Sequence, residues 1–139
     1  MIDFNYETDF ELSDEVKYAE WISEVIASEG KKEGEISYIF CDDEYLLEIN
    51  QQHLDHDTLT DIISFDYTIG NEISGDIFIS VERVKDNALD FNVPFAEELL
   101  RVMSHGIPTH IDRVISSNSF VAHDRRHRNL TIGHRDRVA

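Results

Sequence analysis

The stretch that decides the fold is TDIISFDYTIGNEISGDIFIS, which covers residues 60–80. It contains two runs rich in β-branched and aromatic residues, 62–67 and 76–80, with glycines and an asparagine between them. Such runs are typical of strands, and glycine and asparagine are typical of the turns that join strands. We therefore predict two strands here, connected by a turn.

Helical patterns lie on both sides of this stretch. Capping residues and helical spacing predict a helix over about 14–28, and after a short strand at 36–41 a second helix begins at Asp42. Further on we expect a short helix over 81–89 and a longer one that begins at Pro94. The apolar stripe of the last helix consists of Ala96, Leu99, Leu100, Met103 and Ile107. This order of predicted strands and helices indicates an α/β (α+β) fold, in which helices cover a small mixed sheet.

The composition suits a cytoplasmic protein of one domain. A chain of 139 residues can form a sizeable core but not two. It contains no apolar run long enough to span a bilayer, and its first residues do not resemble a secretion signal. The single cysteine, Cys41, can form no internal disulfide, which is compatible with a reducing compartment. We expect a cytoplasmic location and no membrane partner.

Charge divides the chain at Ile107. Residues 1–107 contain 26 acidic and 6 basic side chains, whereas residues 108–139 contain 3 Asp and 6 Arg and neither Lys nor Glu. The net charge of -17 argues against general adhesion to nucleic acid, which depends on Lys and Arg, but allows a local basic patch or a protein partner. Pro108 ends the helical pattern at the same place. We predict a domain over 1–107 and an atypical basic tail over 108–139, a weak helix at most or disordered.

Three motifs occur in a defined order. Residues 60–65 (TDIISF) resemble the segment T-[ND]-V-L-S-F, and residues 75–80 (GDIFIS) resemble the strand G-D-I-x-I-S. Residues 98–106 (ELLRVMSHG) resemble the start of a helix that leads into H-G-x-L-H-L-x-G-Y-D-H. Together they resemble the YbeY family over roughly residues 35–107, which makes 1–107 a YbeY-like metallohydrolase domain.

The resemblance implies a three-layer fold and an endoribonuclease that cuts single-stranded ribosomal RNA during ribosome maturation and quality control. The implied partners are that RNA and the small ribosomal subunit or proteins associated with it, and DNA is not among them. The implied cofactor is one Zn²⁺ per chain held by three histidines. Residues four apart project from one helical face and can bind one metal, and a fourth open position accepts water.

His105 matches the first histidine of the motif, and the resemblance makes it a zinc ligand and the catalytic residue. It lies off the apolar stripe and shares its helical face with Glu98 and Arg101, so we expect it to face a cleft or solvent. Asp61 and Ser64 are candidates either for lining that cleft or for hydrogen bonds at the strand end.

The other ligand positions depart from the family pattern. Thr109 lies four residues after His105 and Ile115 lies ten residues after it, where histidines are expected. His110 is the second candidate ligand, and it could bind the same metal only through an irregular turn. Leu54 occupies the position of a family arginine implicated in cleavage, so that role does not transfer to this chain.

Two other functions stay open at this point. One is a catalytically impaired member that acts as a ribosome-associated binding module. The other is a metallohydrolase of another substrate class, such as a peptide or small ester. The chain has no H-E-x-x-H, the motif that places a general-base glutamate beside the first ligand, which counts against a protease.

The motif, the helical period and all Lys and Glu stop together after Ile107. Our hypothesis is an altered C-terminus, for example one translated from a shifted reading frame. Translation of the coding DNA in all three frames is expected to reveal a frame that continues His105 into H-x-x-x-H. If no frame does so, residues 108–139 are the native continuation.

Overall fold

A mixed sheet of six strands forms the centre of the protein. The computed structural model describes residues 1–54, 60–108, 119–123 and 129–133. In chain order the elements are β1 (Ile2–Tyr6), α1 (Glu15–Ser28), β2 (Lys32–Cys41), α2 (Asp43–Leu54), β3 (Ile62–Asp66), β4 (Glu72–Ser80), α3 (Val81–Asp90), α4 (Phe95–His105), β5 (Ser119–His123) and β6 (Asn129–Gly133). The strand order is β1-β2-β4-β3-β6-β5. The pairs β1–β2 and β2–β4 are parallel, and the other pairs are antiparallel. The predicted α/β class is confirmed.

The two faces of the sheet bury separate cores because side chains alternate along a strand. Ile62 belongs to the larger core, which the sheet shares with α1, α3 and α4. Its neighbour Ile63 belongs to a smaller core on the opposite face, where Leu46 of α2 packs. The predicted three layers are therefore helix, sheet and helix. No helix in the described ranges has the length and apolar character to cross a membrane.

Strand β1 was not predicted from the sequence. Ile2, Phe4 and Tyr6 alternate with more exposed residues, and this period of two is a strand signal. The rings of Phe4 and Tyr6 stack on Tyr38 and Phe40 of β2, with centroids 5.9 and 5.6 Å apart. Stacking between parallel neighbours thus stabilises an edge strand that is only five residues long.

Helix α4 ends where Pro108 requires it to end. In a continuing helix the carbonyl of Ser104 would accept a hydrogen bond from the amide of residue 108, and proline has no such N–H. The amide of Ile107 donates to that carbonyl instead, at 3.3 Å, and Gly106 is the C-terminal cap. The helix end predicted from the sequence is confirmed.

Two hydroxyl groups of the sheet satisfy carbonyls in the last turn of α4. The buried Tyr38 hydroxyl donates to the carbonyl of Met103 at 3.0 Å, and Ser64 Oγ donates to that of Gly106 at 2.7 Å. Burial raises the pKa of Tyr38, so its hydroxyl stays protonated as a donor. Carbonyls at a helix end lack partners within the helix, and the sheet supplies them here.

The described parts of the tail add two strands to the sheet, in place of the weak helix or disorder expected from the sequence. Strand β6 pairs with β3 over its whole length, from Ile62 opposite Gly133 to Asp66 opposite Asn129. An unpaired sheet edge presents free N–H and C=O groups, and this pairing satisfies those of β3. The division into a domain over 1–107 and a separate tail stays a prediction.

The close contact of α4 with the sheet predicts the effect of Gly106→Ala. A Cβ at this position would overlap Cδ1 of Ile62 and lie 3.0 Å from Cγ2 of Ile77. We expect Gly106→Ala to lower the free energy of unfolding by about 1–3 kcal/mol, measured by urea denaturation.

The matched variant is Ile62→Val, which removes Cδ1 and alone should cost about 0.5–1.5 kcal/mol. Combined with Gly106→Ala, it should restore part of the lost stability because the overlapping atom is gone. Strictly additive losses in the double variant would contradict the proposed overlap.

Candidate functional site

His105 is the last residue of α4, and its side chain is half-buried. Ala96 of the predicted apolar stripe is exposed, whereas Glu98, which shares the helical face of His105, is buried because it pairs with Arg101. The buried face of α4 is therefore rotated toward His105 relative to the prediction. Burial first, and the positive charge of Arg101 second, lower the pKa of His105 from its ordinary 6.5. At neutral pH the imidazole is therefore uncharged, which is the form that binds metal ions.

An ion-pair cluster lies on the same helix, one turn before His105. Arg101 Nε and Nη2 donate to the two oxygens of Glu98 at 3.2 and 3.1 Å, and Nη2 also donates to Asp61 Oδ2 at 3.4 Å. The side chains of Asp61 and Glu98 are only 2% and 1% exposed. Buried carboxylates need such pairing because removing a charge from water costs several kcal/mol. We call Asp61, Glu98 and Arg101 the carboxylate–arginine cluster.

This cluster joins three elements beneath the candidate site. Asp61 precedes β3, Glu98 and Arg101 belong to α4, and Asn87 of α3 donates from Nδ2 to Asp61 Oδ2 at 3.4 Å. The backbone carbonyl of Asp61 also accepts a hydrogen bond from the amide of Ser80 at 3.0 Å. The start of β3 is thereby linked both to α3 and to the helix that bears His105.

The sequence left the roles of Asp61 and Ser64 open. Asp61 is a buried ion-pair partner, and Ser64 holds the helix end through Gly106, so both are structural supports of the site. The ion pair was missed, although Glu98 and Arg101 have the i,i+3 spacing of a helical salt bridge. The pairing with Asp61 joins residues 40 positions apart, and sequence spacing gives no signal for it.

The described residues do not complete a metal site. Among residues 1–52 and 60–108, whose side chains the structure describes, no three His, Cys, Asp or Glu side chains lie close enough together to hold an ion. His110 lies outside the described residues, as do Thr109 and Ile115. His105 is thus the one candidate ligand whose position is defined, and one ligand is fewer than the three that zinc sites of hydrolases use.

Cys41 offers no alternative chemistry. Its thiol is fully buried and donates to the carbonyl of Ile79 at 3.4 Å. Burial, reinforced by the nearby charges of Asp42 and Asp43, raises the pKa of Cys41 to about 12. A buried thiol that stays protonated at neutral pH is a poor nucleophile.

The lowered pKa of His105 predicts a dependence of stability on pH. Between that lowered pKa and 6.5 the unfolded chain binds more protons at this position than the folded one does, so stability falls as pH falls through this window. His105→Gln removes this contribution. Its free energy of unfolding should therefore decrease less than that of the wild type between pH 7 and pH 5, measured by urea denaturation at both pH values.

The control is Ser104→Ala, which changes the neighbouring half-buried residue of α4 and removes no titrating group. It should lose as much stability on acidification as the wild type does. Equal losses in all three proteins would mean that the pKa of His105 is not lowered by folding.

Comparisons with known proteins identify the family. The family model described as Endoribonuclease YbeY matches residues 3–111. A protein of Flavobacterium johnsoniae named Endoribonuclease YbeY is 71% identical over 107 residues, which are 77% of each chain. The relative of the same name in Flavobacterium psychrophilum is 69% identical over 107 residues, covering 77% of this chain and 76% of the relative.

A solved structure has the same fold. The solution structure of TM1509 from Thermotoga maritima superposes with a TM-score of 0.50 at 27% sequence identity, covering 76% of this chain and 69% of that one. The family match spans β1 to α4 and includes the motifs around Asp61 and His105. On these findings the chain belongs to the YbeY family.

Proposed function

We propose that this protein is a metal-dependent endoribonuclease that cleaves single-stranded RNA in ribosomal RNA maturation. The observation that carries the proposal is the position of His105. It ends α4 directly before Gly106, which packs tightly on β3 and β4, within a region that matches the family over residues 3–111. The relatives that match over this region bear the name endoribonuclease, and neither alternative function receives comparable support.

Zinc is the proposed metal, with one ion per chain, and His105 is its proposed first ligand. The lowered pKa of His105 supports this role because the imidazole needs no deprotonation before it binds an ion. His110 is the second proposed ligand. We also propose His105 as the catalytic residue, because a side chain that binds the zinc ion lies at the site of cleavage.

The proposed partners are single-stranded ribosomal RNA and the small ribosomal subunit or proteins associated with it, in the cytoplasm. DNA and membranes are not part of the proposal. Residues 1–107 contain 26 acidic and 6 basic side chains, so most of this surface repels phosphate. Contact with RNA must therefore depend on a few local cations or on help from a protein partner, which favours an assembly over free binding to bulk nucleic acid.

Cleavage and metal content test the proposal together. The purified protein should cut a labelled single-stranded fragment of ribosomal RNA, and a chelator should abolish the cut. Elemental analysis should find about one zinc per chain, as expected for a single hydrolase site. His105→Ala should lose both the metal and the activity, whereas Ser104→Ala, its neighbour on α4, should keep both.

The opposite result is equally informative. A wild-type chain that binds the RNA but contains no metal and leaves the RNA intact would contradict the nuclease and support the binding module. Cleavage that persists in His105→Ala would show that this histidine is not the catalytic residue.

A further inference from the structure

Arg101 has hydrogen-bonding capacity that the residues described by the structure do not use. A guanidinium group carries five N–H donors. Nε donates to Glu98, and Nη2 uses its two N–H groups on Glu98 and Asp61. Nη1 makes no hydrogen bond with the described residues, so its two N–H groups have no acceptor in that part of the chain.

The side chain is accessible although its partners are not. Arg101 is 33% exposed, while the side chains of Asp61 and Glu98 are 2% and 1% exposed. The carboxylates thus hold the guanidinium from the protein interior, and a third of the Arg101 side chain stays open to solvent. A guanidinium fixed in this way loses little conformational freedom when it binds a further acceptor.

The location of Arg101 relates it to the candidate site. It precedes His105 by four residues on α4, so the two side chains lie on one helical face, about one turn apart. It is also the only basic residue of α4 apart from His105 itself.

The charge of the cluster determines what kind of contact Arg101 can make. Two carboxylates against one guanidinium leave a formal charge of about -1, so the cluster does not attract a polyanion over long range. At hydrogen-bond distance, however, a fixed N–H pair aimed at a phosphate forms a charge-assisted contact. Such a contact does not speed the approach of the substrate, but it strengthens the bound complex and orients the strand within it.

We propose that Arg101 binds a backbone phosphate of the RNA substrate through Nη1 and so sets the register of the strand at His105. This inference rests on the proposed nuclease function and adds a substrate-binding residue to it. The chemistry that recognises the ligand is that of a phosphodiester oxygen, an anionic acceptor with no donor of its own. Glu98 and Asp61 act through Arg101 as positioning residues.

The test compares Arg101→Lys with Arg83→Lys. Lysine keeps a positive charge beside the buried carboxylates but lacks the N–H pair that Nη1 of Arg101 carries. Arg83 is a matched control because it is also held by two carboxylates, Asp43 at 2.8 Å and Asp86 at 3.2 Å, but lies on α3 and is 15% exposed. Binding of a single-stranded ribosomal RNA oligonucleotide is measured on ice, with intact RNA confirmed on a gel.

We expect Arg101→Lys to bind the oligonucleotide roughly tenfold more weakly than the wild type and Arg83→Lys to bind like the wild type. A second measurement replaces single phosphates of the oligonucleotide by neutral methylphosphonates. The wild type should lose affinity at the contacted phosphate, and Arg101→Lys should be insensitive at that position. If Arg101 had only a structural role, its replacement by lysine would not abolish the sensitivity to methylphosphonate at one particular phosphate.

Two variants guard against misfolding. Asp61→Asn/Glu98→Gln neutralises the buried carboxylates, and addition of Arg101→Gln to this pair then leaves no buried charge without a partner. The triple variant should bind RNA roughly tenfold more weakly than the double variant. Equal affinity of the two, or undiminished methylphosphonate sensitivity in Arg101→Lys, would overturn the inference.

Failure of the inference is distinguishable from failure of the proposed function. If the wild type binds the RNA and Arg101→Lys binds it equally well, the function stands and Arg101 has no part in it. If the wild type binds no single-stranded RNA, the proposed function fails and the inference fails with it.

Discussion

The close approach of α4 to β3 and β4 at Gly106 is the constraint on which the candidate site depends. A side chain at this position would overlap Ile62, so the approach requires glycine. Hydroxyl groups of Tyr38 and Ser64 then reach the carbonyls of Met103 and Gly106 and replace the partners that a longer helix would supply. His105 is oriented by these contacts, because it lies between the two carbonyls that the sheet holds in place.

A second constraint is the burial of two carboxylates beside the site. Asp61 and Glu98 would be costly to bury without a cation, and Arg101 is that cation. The same guanidinium keeps positive charge near His105, which together with burial keeps the imidazole neutral. One arginine therefore stabilises the junction of β3 with α4 and tunes the candidate ligand. The chain contains few basic residues, so few other cations are available for these two roles.

The C-terminal region combines a departure from the family with a continuation of the sheet. The family match ends at residue 111, and the pattern of ligands after His105 changes at Thr109 and Ile115. Helix α4 ends at His105, and Pro108 lacks the N–H with which it could continue. The backbone of β6 nevertheless pairs with β3. Pairing between backbones tolerates many sequences, whereas a metal site needs particular side chains, so the pairing of β6 with β3 does not depend on which ligands the tail contains.

The sequence by itself determined the helices and most of the strands, the end of α4 at Pro108 and part of the buried face of that helix. These features follow from local rules: the period of apolar residues, capping side chains and the missing N–H of proline. The sequence did not reveal β1, in which more and less exposed residues alternate over only five positions. Nor did it reveal the ion pair between Asp61 and Arg101, which are 40 residues apart. The tertiary structure alone decided which carboxylates became buried, which cation they met and where the α4 carbonyls found donors. The physical reason is that burial and pairing depend on distances across the sheet, and residue spacing along the chain carries no information about those distances.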